Sequence, residues 1–239
     1  RIYTREGKVY TGTVLSLSPS VHVQDDAATR PRDEKNMAVR IDEKVRTKAD
    51  VEALGIAAGD YVCYDPKTVV TESGFVKSRF LDDKASSACL LTLLWRMHAT
   101  GMRPRFDSYF TLTVHEEVGH GASPLYKMDI DDLVAVDMGC VGDDLTCDET
   151  MVSICAKDGR SPYDYALTSQ LIEAAKQSGA DYAVDIFTNY GSDADATLSA
   201  GYEVRHGLIG PGVFASHGYE RSHKKGVLST LKLLDAFVG

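Results

Sequence analysis

Apolar and polar positions fall into two textures along the chain. Residues 9–17 alternate closely enough to predict one strand, partly buried on both faces and closed by Pro19. Residues 37–41 and 61–64 have the same character. Thr47-Lys48-Ala49-Asp50 has the spacing of a capping box that opens a short helix, stopped at Gly55. Residues 24–36 are polar and charged, which predicts an exposed loop. Short strands, tight turns and one small helix make residues 1–70 a β-rich module with little obvious chemistry.

From Val69 onward strands alternate with helices. A helix over 85–99 would carry Leu90, Leu91, Leu94, Trp95 and Met97 as its apolar stripe. The stretch 111–119 predicts a strand, with Leu112 and Val114 on one face and Thr111, Thr113 and His115 on the other. It ends in two adjacent acids, Glu116 and Glu117. Strands follow at 133–136, 151–155, 182–186 and 204–209. Helices are expected from Ser161-Pro162 to about Ser178, from Gly191-Ser192-Asp193-Ala194 to Gly201, and over 227–238. This order predicts an α/β fold: a central, mostly mixed sheet flanked by helices over 71–239, beside the smaller β-rich domain.

Composition narrows the function. The 239 residues carry a formal net charge of -9, which argues against nucleic acid or an anionic membrane as partner. No run of about 18 apolar residues is present to span a bilayer. Five cysteines without a CxxC pair fit reduced thiols and a cytoplasmic location. The chain opens on Arg1 with a strand already under way, so a preceding segment is expected.

The candidate chemistry lies where segments end. Asp82 and Asp83 stand at a helix start, Glu116 and Glu117 at one predicted strand end, and Asp137 at another. In an α/β sheet the carboxyl ends of strands converge on one crevice. A fourth polar cluster, Ser216-His217-Gly218-Tyr219-Glu220-Arg221-Ser222-His223, follows the last strand. Each acid alone has a bland explanation: Asp82 and Asp83 suit the positive end of a helix. Several acids and a histidine drawn from separate segments suit a divalent cation with nitrogen and oxygen ligands.

Phe80-Leu81-Asp82-Asp83-Lys84, Val114-His115-Glu116-Glu117-Val118-Gly119, Ala135-Val136-Asp137 and Ser216-His217-Gly218-Tyr219-Glu220 resemble, in order, four signature segments of the M42 metallo-aminopeptidases. These are the glutamyl, deblocking and tetrahedral aminopeptidases. Gly191-Ser192-Asp193-Ala194 is similar to that family's small-residue loop near the site. The resemblance covers essentially the whole chain. It implies a zinc-exopeptidase-like fold in which residues 1–70 are an inserted domain serving access or oligomerisation. It further implies that Asp82 bridges two metal ions, that Glu117 and His217 are terminal ligands of one, and that Asp137 is a ligand of the other. Glu116 becomes the general base and Asp83 an acid that orients its neighbours. His115 and His120 would not be ligands, and His120-Gly121 stands where the family usually has Arg-Gly. The family's other ligand histidine precedes its inserted domain, a stretch that would fall before Arg1; His22 lies inside the β module and is no obvious replacement.

The implied activity is removal of N-terminal residues from short peptides, with two divalent ions, Zn or else Co or Mn, and with assembly into a homo-oligomer, a dimer or a dodecamer. A bound ion polarises the scissile carbonyl and activates water, and a carboxylate base moves its proton to the leaving amine. Two alternatives stand beside it. One is a non-catalytic assembly or peptide-binding homologue with an incomplete metal site. The other is a hydrolase of acylated amino acids or of glycans, the latter needing two carboxylates but no histidine ligand.

Overall fold

Short alternating stretches in the N-terminal third pair locally. The computed structural model describes residues 1–239, apart from the side chain of Tyr126, and the chain divides into the units Arg1–Asp65 and Pro66–Gly239. In the first unit, β1 (Ile2–Tyr3), β2 (Val9–Tyr10), β3 (Gly12–Ser16) and β4 (Met37–Ile41) are followed by helix α1 (Lys48–Ala53) and β5 (Tyr61–Val62). The single strand expected over 9–17 is broken at Thr11, because its halves serve different sheets. β2 pairs with β1, which also pairs with β5, whereas β3 pairs antiparallel with β4. The capping box of α1 forms as expected: Thr47 accepts from the Asp50 N–H, and the Asp50 carboxylate accepts from the Thr47 N–H.

The second unit opens with β6 (Val69–Val70) and β7 (Phe75–Ser78), then α2 (Leu81–Thr100). It continues with β8 (Asp132–Val136), β9 (Gly139–Val141), β10 (Val152–Lys157), α3 (Tyr165–Ser178) and β11 (Tyr182–Ile186). Last come α4 (Asp193–Ser199), β12 (Arg205–Phe214), β13 (Glu220–His223) and α5 (Lys224–Val238). One mixed sheet runs in the order β11-β10-β12-β13-β7-β6, and β8 and β9 also pair with β12. β12 is parallel to β8 and β9 and antiparallel to β10 and β13.

Alternation along these strands feeds two cores. Val152, Ile154 and Ile209 point to one face and are buried with Cys89, Leu93, Leu167, Leu171 and Leu233 of α2, α3 and α5. Leu133, Ala135, Cys155 and Leu208 point to the other and are buried with Tyr163, Phe187 and Ala194. Helices therefore cover both faces, and the carboxyl end of β8 is held between them.

Four further sequence expectations change on folding. In α2 the buried positions are Ser86, Cys89 and Leu93; Leu91, Leu94 and Trp95 are exposed. Leu90 and Met97 of the expected stripe do pack against this core, so the buried face is the expected one rotated toward Ser86, Cys89 and Leu93. α3 begins at Tyr165, capped by Asp164, whose carboxylate accepts from the Leu167 N–H. Ser161 and Pro162 lie ahead of it, where Pro162 forms a bridge with Lys157. β12 runs on to Phe214 through Gly210, where a Cβ would lie 1.3 Å from the Asp137 carbonyl oxygen. Finally, 111–119 is not a strand. Residues 111–113 carry no regular structure and Glu116–Val118 form a 3-10 turn. Among the described residues no strand lies alongside to satisfy its backbone groups, and alternation without a partner makes no ladder.

Candidate active site

Asp82 and Asp83 are placed by a break at the start of α2. Phe80 is left-handed at φ 65°, and Asp82 and Asp83, joined by a cis peptide bond, have non-helical backbone angles. The two carboxylates thus stand at the helix mouth without following its spiral. Buried Glu220 of β13 holds this turn: its Oε2 accepts from the N–H groups of Leu81 and Asp82. Its Oε1 accepts from the His217 N–H at 3.1 Å. One carboxylate therefore ties the Asp82 turn to the loop carrying His217, itself left-handed at φ 63°. Sequence reasoning gave Glu220 no task, since only the β13–β7 register, Glu220 opposite Ser78, brings it beneath Asp82.

Glu116 and Glu117 lie in the 3-10 turn closed by left-handed Gly119. Asp193, at the start of α4, fastens this segment: its Oδ2 accepts from Thr113 Oγ1 at 2.7 Å and its Oδ1 from the Ala122 N–H at 2.8 Å. Asp137 follows β8 and is buried. Its N–H donates to the Ile209 carbonyl, and its own Oδ1 accepts from the Met138 N–H.

These placements converge. His217 Nε2 lies 3.4 Å from Asp82 Oδ2 and 3.4 Å from Glu117 Oε2. One ligand atom from each of Asp82, Glu117 and His217 falls within 4.8 Å of the others. Asp82, Glu116, Glu117, Asp137 and His217 line one cavity of about 570 Å³. Asp83 stays behind Asp82; its Oδ1 is buried without a hydrogen-bond partner.

The electrostatics are those of crowded acids. Burial first, and then Asp137 and Glu117, push the Asp82 carboxyl well above its ordinary range. Burial and Asp137 do the same to Asp83. Burial and Glu116 raise Asp137. Glu116 rises to about 7, through burial and then its neighbours Asp193 and Glu117.

The other histidines go elsewhere. His223 caps α5 through Nδ1, contacts the Ser73 carbonyl through Nε2 and packs edge-on against Phe75. Both its ring nitrogens are engaged. His115 and His120 are exposed beside the 3-10 turn and belong to no ligand group among the described residues. His22 is exposed within the first unit.

The donor set fits a divalent cation. A histidine nitrogen and two carboxylates face one point, and an orphaned buried oxygen lies behind. Fold and site together define a mixed α/β protein whose sheet presents an acid-rich, metal-competent cavity. The chain belongs to the M42 glutamyl aminopeptidase family, whose model matches residues 1–233. It is 44% identical over 238 residues to the Bacillus subtilis (strain 168) protein named "Putative aminopeptidase YhfE", covering 100% of this chain and 69% of that protein. The fold is shared with the TET aminopeptidase of the marine sediment archaeon Thaumarchaeota archaeon SCGC AB-539-E09 at a TM-score of 0.85 and 19% identity, covering 99% of this chain and 68% of that one. It is shared too with Pyrococcus horikoshii TET1 peptidase, at a TM-score of 0.81 and 20% identity, over 99% and 70%. That peptidase assembles into a tetrahedron or a large octahedral shell.

Proposed function

We propose that this protein is a metal-dependent aminopeptidase that removes N-terminal residues from short peptides. The observation that carries this is the meeting of Asp82, Glu117 and His217 in one cavity with Glu116 and Asp137. Asp82, Glu117 and His217 would hold one divalent ion, and Asp82 and Asp137 would contribute to a second. Zn, Co or Mn suits such ligands. When bound, these ions polarise the scissile carbonyl and lower the pKa of water.

The remaining chemistry belongs to the chain. Glu116, raised to about 7, is poised both to take a proton from water and to return it to the leaving amine near neutral pH. Its neighbour Glu117 points to His217 and so has a different task. Asp83 limits how Asp82 turns. The surplus of carboxylates complements a protonated substrate amine, which favours a free N-terminus over an internal bond. The inserted domain, residues 1–70, would serve access and homo-oligomerisation, as a dimer or dodecamer in the cytoplasm.

Glu116→Gln tests the assignment. It keeps the size of the side chain but removes the base, so turnover of aminoacyl-p-nitroanilides should fall by about a hundredfold or more. Metal content by mass spectrometry should stay unchanged. Turnover retained in Glu116→Gln would sink the assignment.

A further inference from the structure

No ladder of the central sheet holds Glu116 and Glu117. Residues 111–113 carry no regular structure, and among the described residues no strand pairs with them. The two acids ride on a single 3-10 turn, Glu116–Val118. The turn closes on itself: the Gly119 N–H donates to the Glu116 carbonyl at 2.7 Å, and the His120 N–H to the His115 carbonyl at 3.0 Å. Its position in the cavity has to come from elsewhere, and α4 supplies it.

Asp193 of α4 reaches the chain on both sides of the turn. Its Oδ2 accepts from Thr113 Oγ1 ahead of the acids, and its Oδ1 from the Ala122 N–H behind them. Thr197, fully buried one turn further along α4, donates to the Ala122 carbonyl at 3.1 Å. It shares that proton with the Asp193 carbonyl at 3.2 Å. Both backbone polar groups of buried Ala122 are thus taken up by α4. Gly121 makes room for the contact. A Cβ there would lie 2.1 Å from Asp193 Oδ1 and 3.0 Å from the Glu116 Cα.

α4 is itself firmly seated. Buried Ser192 accepts from the Ala194 N–H, and Asp195 Oδ2 accepts from the Ser192 N–H at 2.9 Å. Ser192 Oγ also meets the hydroxyl of buried Tyr163 at 3.0 Å, and Ala194 belongs to the second core. A plainer account exists for each residue alone. Asp193 suits the positive end of a helix, and a threonine often bonds the carbonyl four residues back. Neither account calls for Thr113, for Ala122 or for a missing side chain at Gly121.

We propose that Asp193 is a positioning residue: through Thr113 and Ala122 it sets where Glu116 and Glu117 stand in the cavity, with Thr197 securing the same seat. This rests on the aminopeptidase function proposed above. The base must meet its water, and Glu117 must meet Asp82 and His217, so a small displacement of the one turn harms both.

The test uses full-length wild-type, Asp193→Ala, Asp193→Asn, Thr113→Val and Thr230→Val proteins. Two quantities are read: turnover of a panel of aminoacyl-p-nitroanilides, and Mn affinity by calorimetric titration. Asp193→Ala should lower kcat by about ten- to a hundredfold with KM within about twofold. Its Mn affinity should fall about tenfold or more, because Glu117 rides on the same turn. Thr113→Val should lower both quantities by less. Asp193→Asn should recover most of the loss, since its oxygen still accepts from Ala122 and its NH2 group donates to the Thr113 hydroxyl. Thr230 is the control for a merely structural role: it is fully buried in α5 and donates to the Gly226 carbonyl at 3.0 Å. Thr230→Val should lower the melting temperature and leave kcat and Mn affinity unchanged. Wild-type kcat and Mn affinity in Asp193→Ala overturn the proposal. So does an Asp193→Asn protein as impaired as Asp193→Ala, or a Thr230→Val protein that loses as much. If Asp193→Ala does not fold, Thr113→Val decides: a loss of both quantities upholds the proposal and no loss overturns it. If the wild type cleaves none of the panel, the aminopeptidase function falls. Mn affinity then decides alone: a loss in Asp193→Ala that Asp193→Asn recovers upholds the positioning role, and its absence overturns it.

Discussion

At the scale of single residues, Glu220 does more than its burial suggests. It accepts hydrogen bonds from Leu81, Asp82 and His217, so two candidate ligands from segments more than a hundred residues apart share one acceptor. Glu220→Gln replaces one oxygen with an NH2 group that must face an N–H, leaving a buried donor unsatisfied. Stability should fall by about 1.5–3 kcal/mol in urea titration. Divalent-ion affinity should fall about ten- to a hundredfold, the usual effect of losing a group that orients a ligand. Unchanged affinity in a folded Glu220→Gln protein would show that His217 and Asp82 do not depend on this acceptor. The legible part at this scale was chemical type: Asp82, Glu117 and His217 were candidates from their neighbours in sequence. Glu220 was not, because its work is done entirely through register with β7.

At the scale of elements, the parallel pairing of β8 with β12 sets Asp137. The Asp137 N–H donates to the Ile209 carbonyl, and Gly210 leaves room for the Asp137 carbonyl, to which a Cβ would come within 1.3 Å. Gly210→Ala forces that backbone apart. It should cost about 4 kcal/mol or more, the range reserved for disrupted cores. Gly142→Ala is the control: its Cβ would meet nothing within 4 Å, so its stability should stay within about 0.5 kcal/mol. Equal stability of the two variants in chemical denaturation would contradict the close approach of Gly210 to the Asp137 carbonyl. In the same way, Leu93 of α2 is fully buried. Leu93→Ala should cost about 2–5 kcal/mol, while the exposed Leu91→Ala should cost little, by the same measurement. Helix existence was legible from apolar spacing. The buried face was legible only in part, because both candidate faces of α2 carry leucines and only the position of α5 chooses between them.

For the molecule as a whole, the cluster of acids links stability to pH and to metal. Asp82, Asp83, Glu116 and Asp137 all have raised pKa values in the folded state. The native state then binds more protons than the unfolded one. The stability they contribute is fully present below the unfolded carboxylate range, near pH 4, and is lost as pH rises through the folded values, about 7 for Glu116. Chelated protein should therefore melt at a lower temperature at pH 8 than at pH 5.5. Added Zn or Mn should raise the melting temperature most at pH 8, where the acids are ionised and able to bind. Differential scanning calorimetry across this range checks both. A chelated protein whose stability rises steadily from pH 5.5 to pH 8 would contradict the linkage.

The sequence by itself determined the α/β alternation, though not β9 or β13, the capping of α1, and which chemical groups stand at the ends of segments. These depend on spacing and on neighbours along the chain, which local physics fixes. It did not determine whether 111–119 is a strand, because alternation states what a segment is able to bury and not whether a partner lies beside it. The resemblance to the family picked out His217 as the ligand, but residue type and spacing alone did not separate it from His223. His223 has the same chemistry six residues later, but the fold spends both its nitrogens on capping α5 and on Ser73. Tertiary structure alone brought the acids within reach of one another. Their mutual repulsion is a cost no local segment would choose, and the surrounding β8–β12 and β13–β7 pairings hold them there.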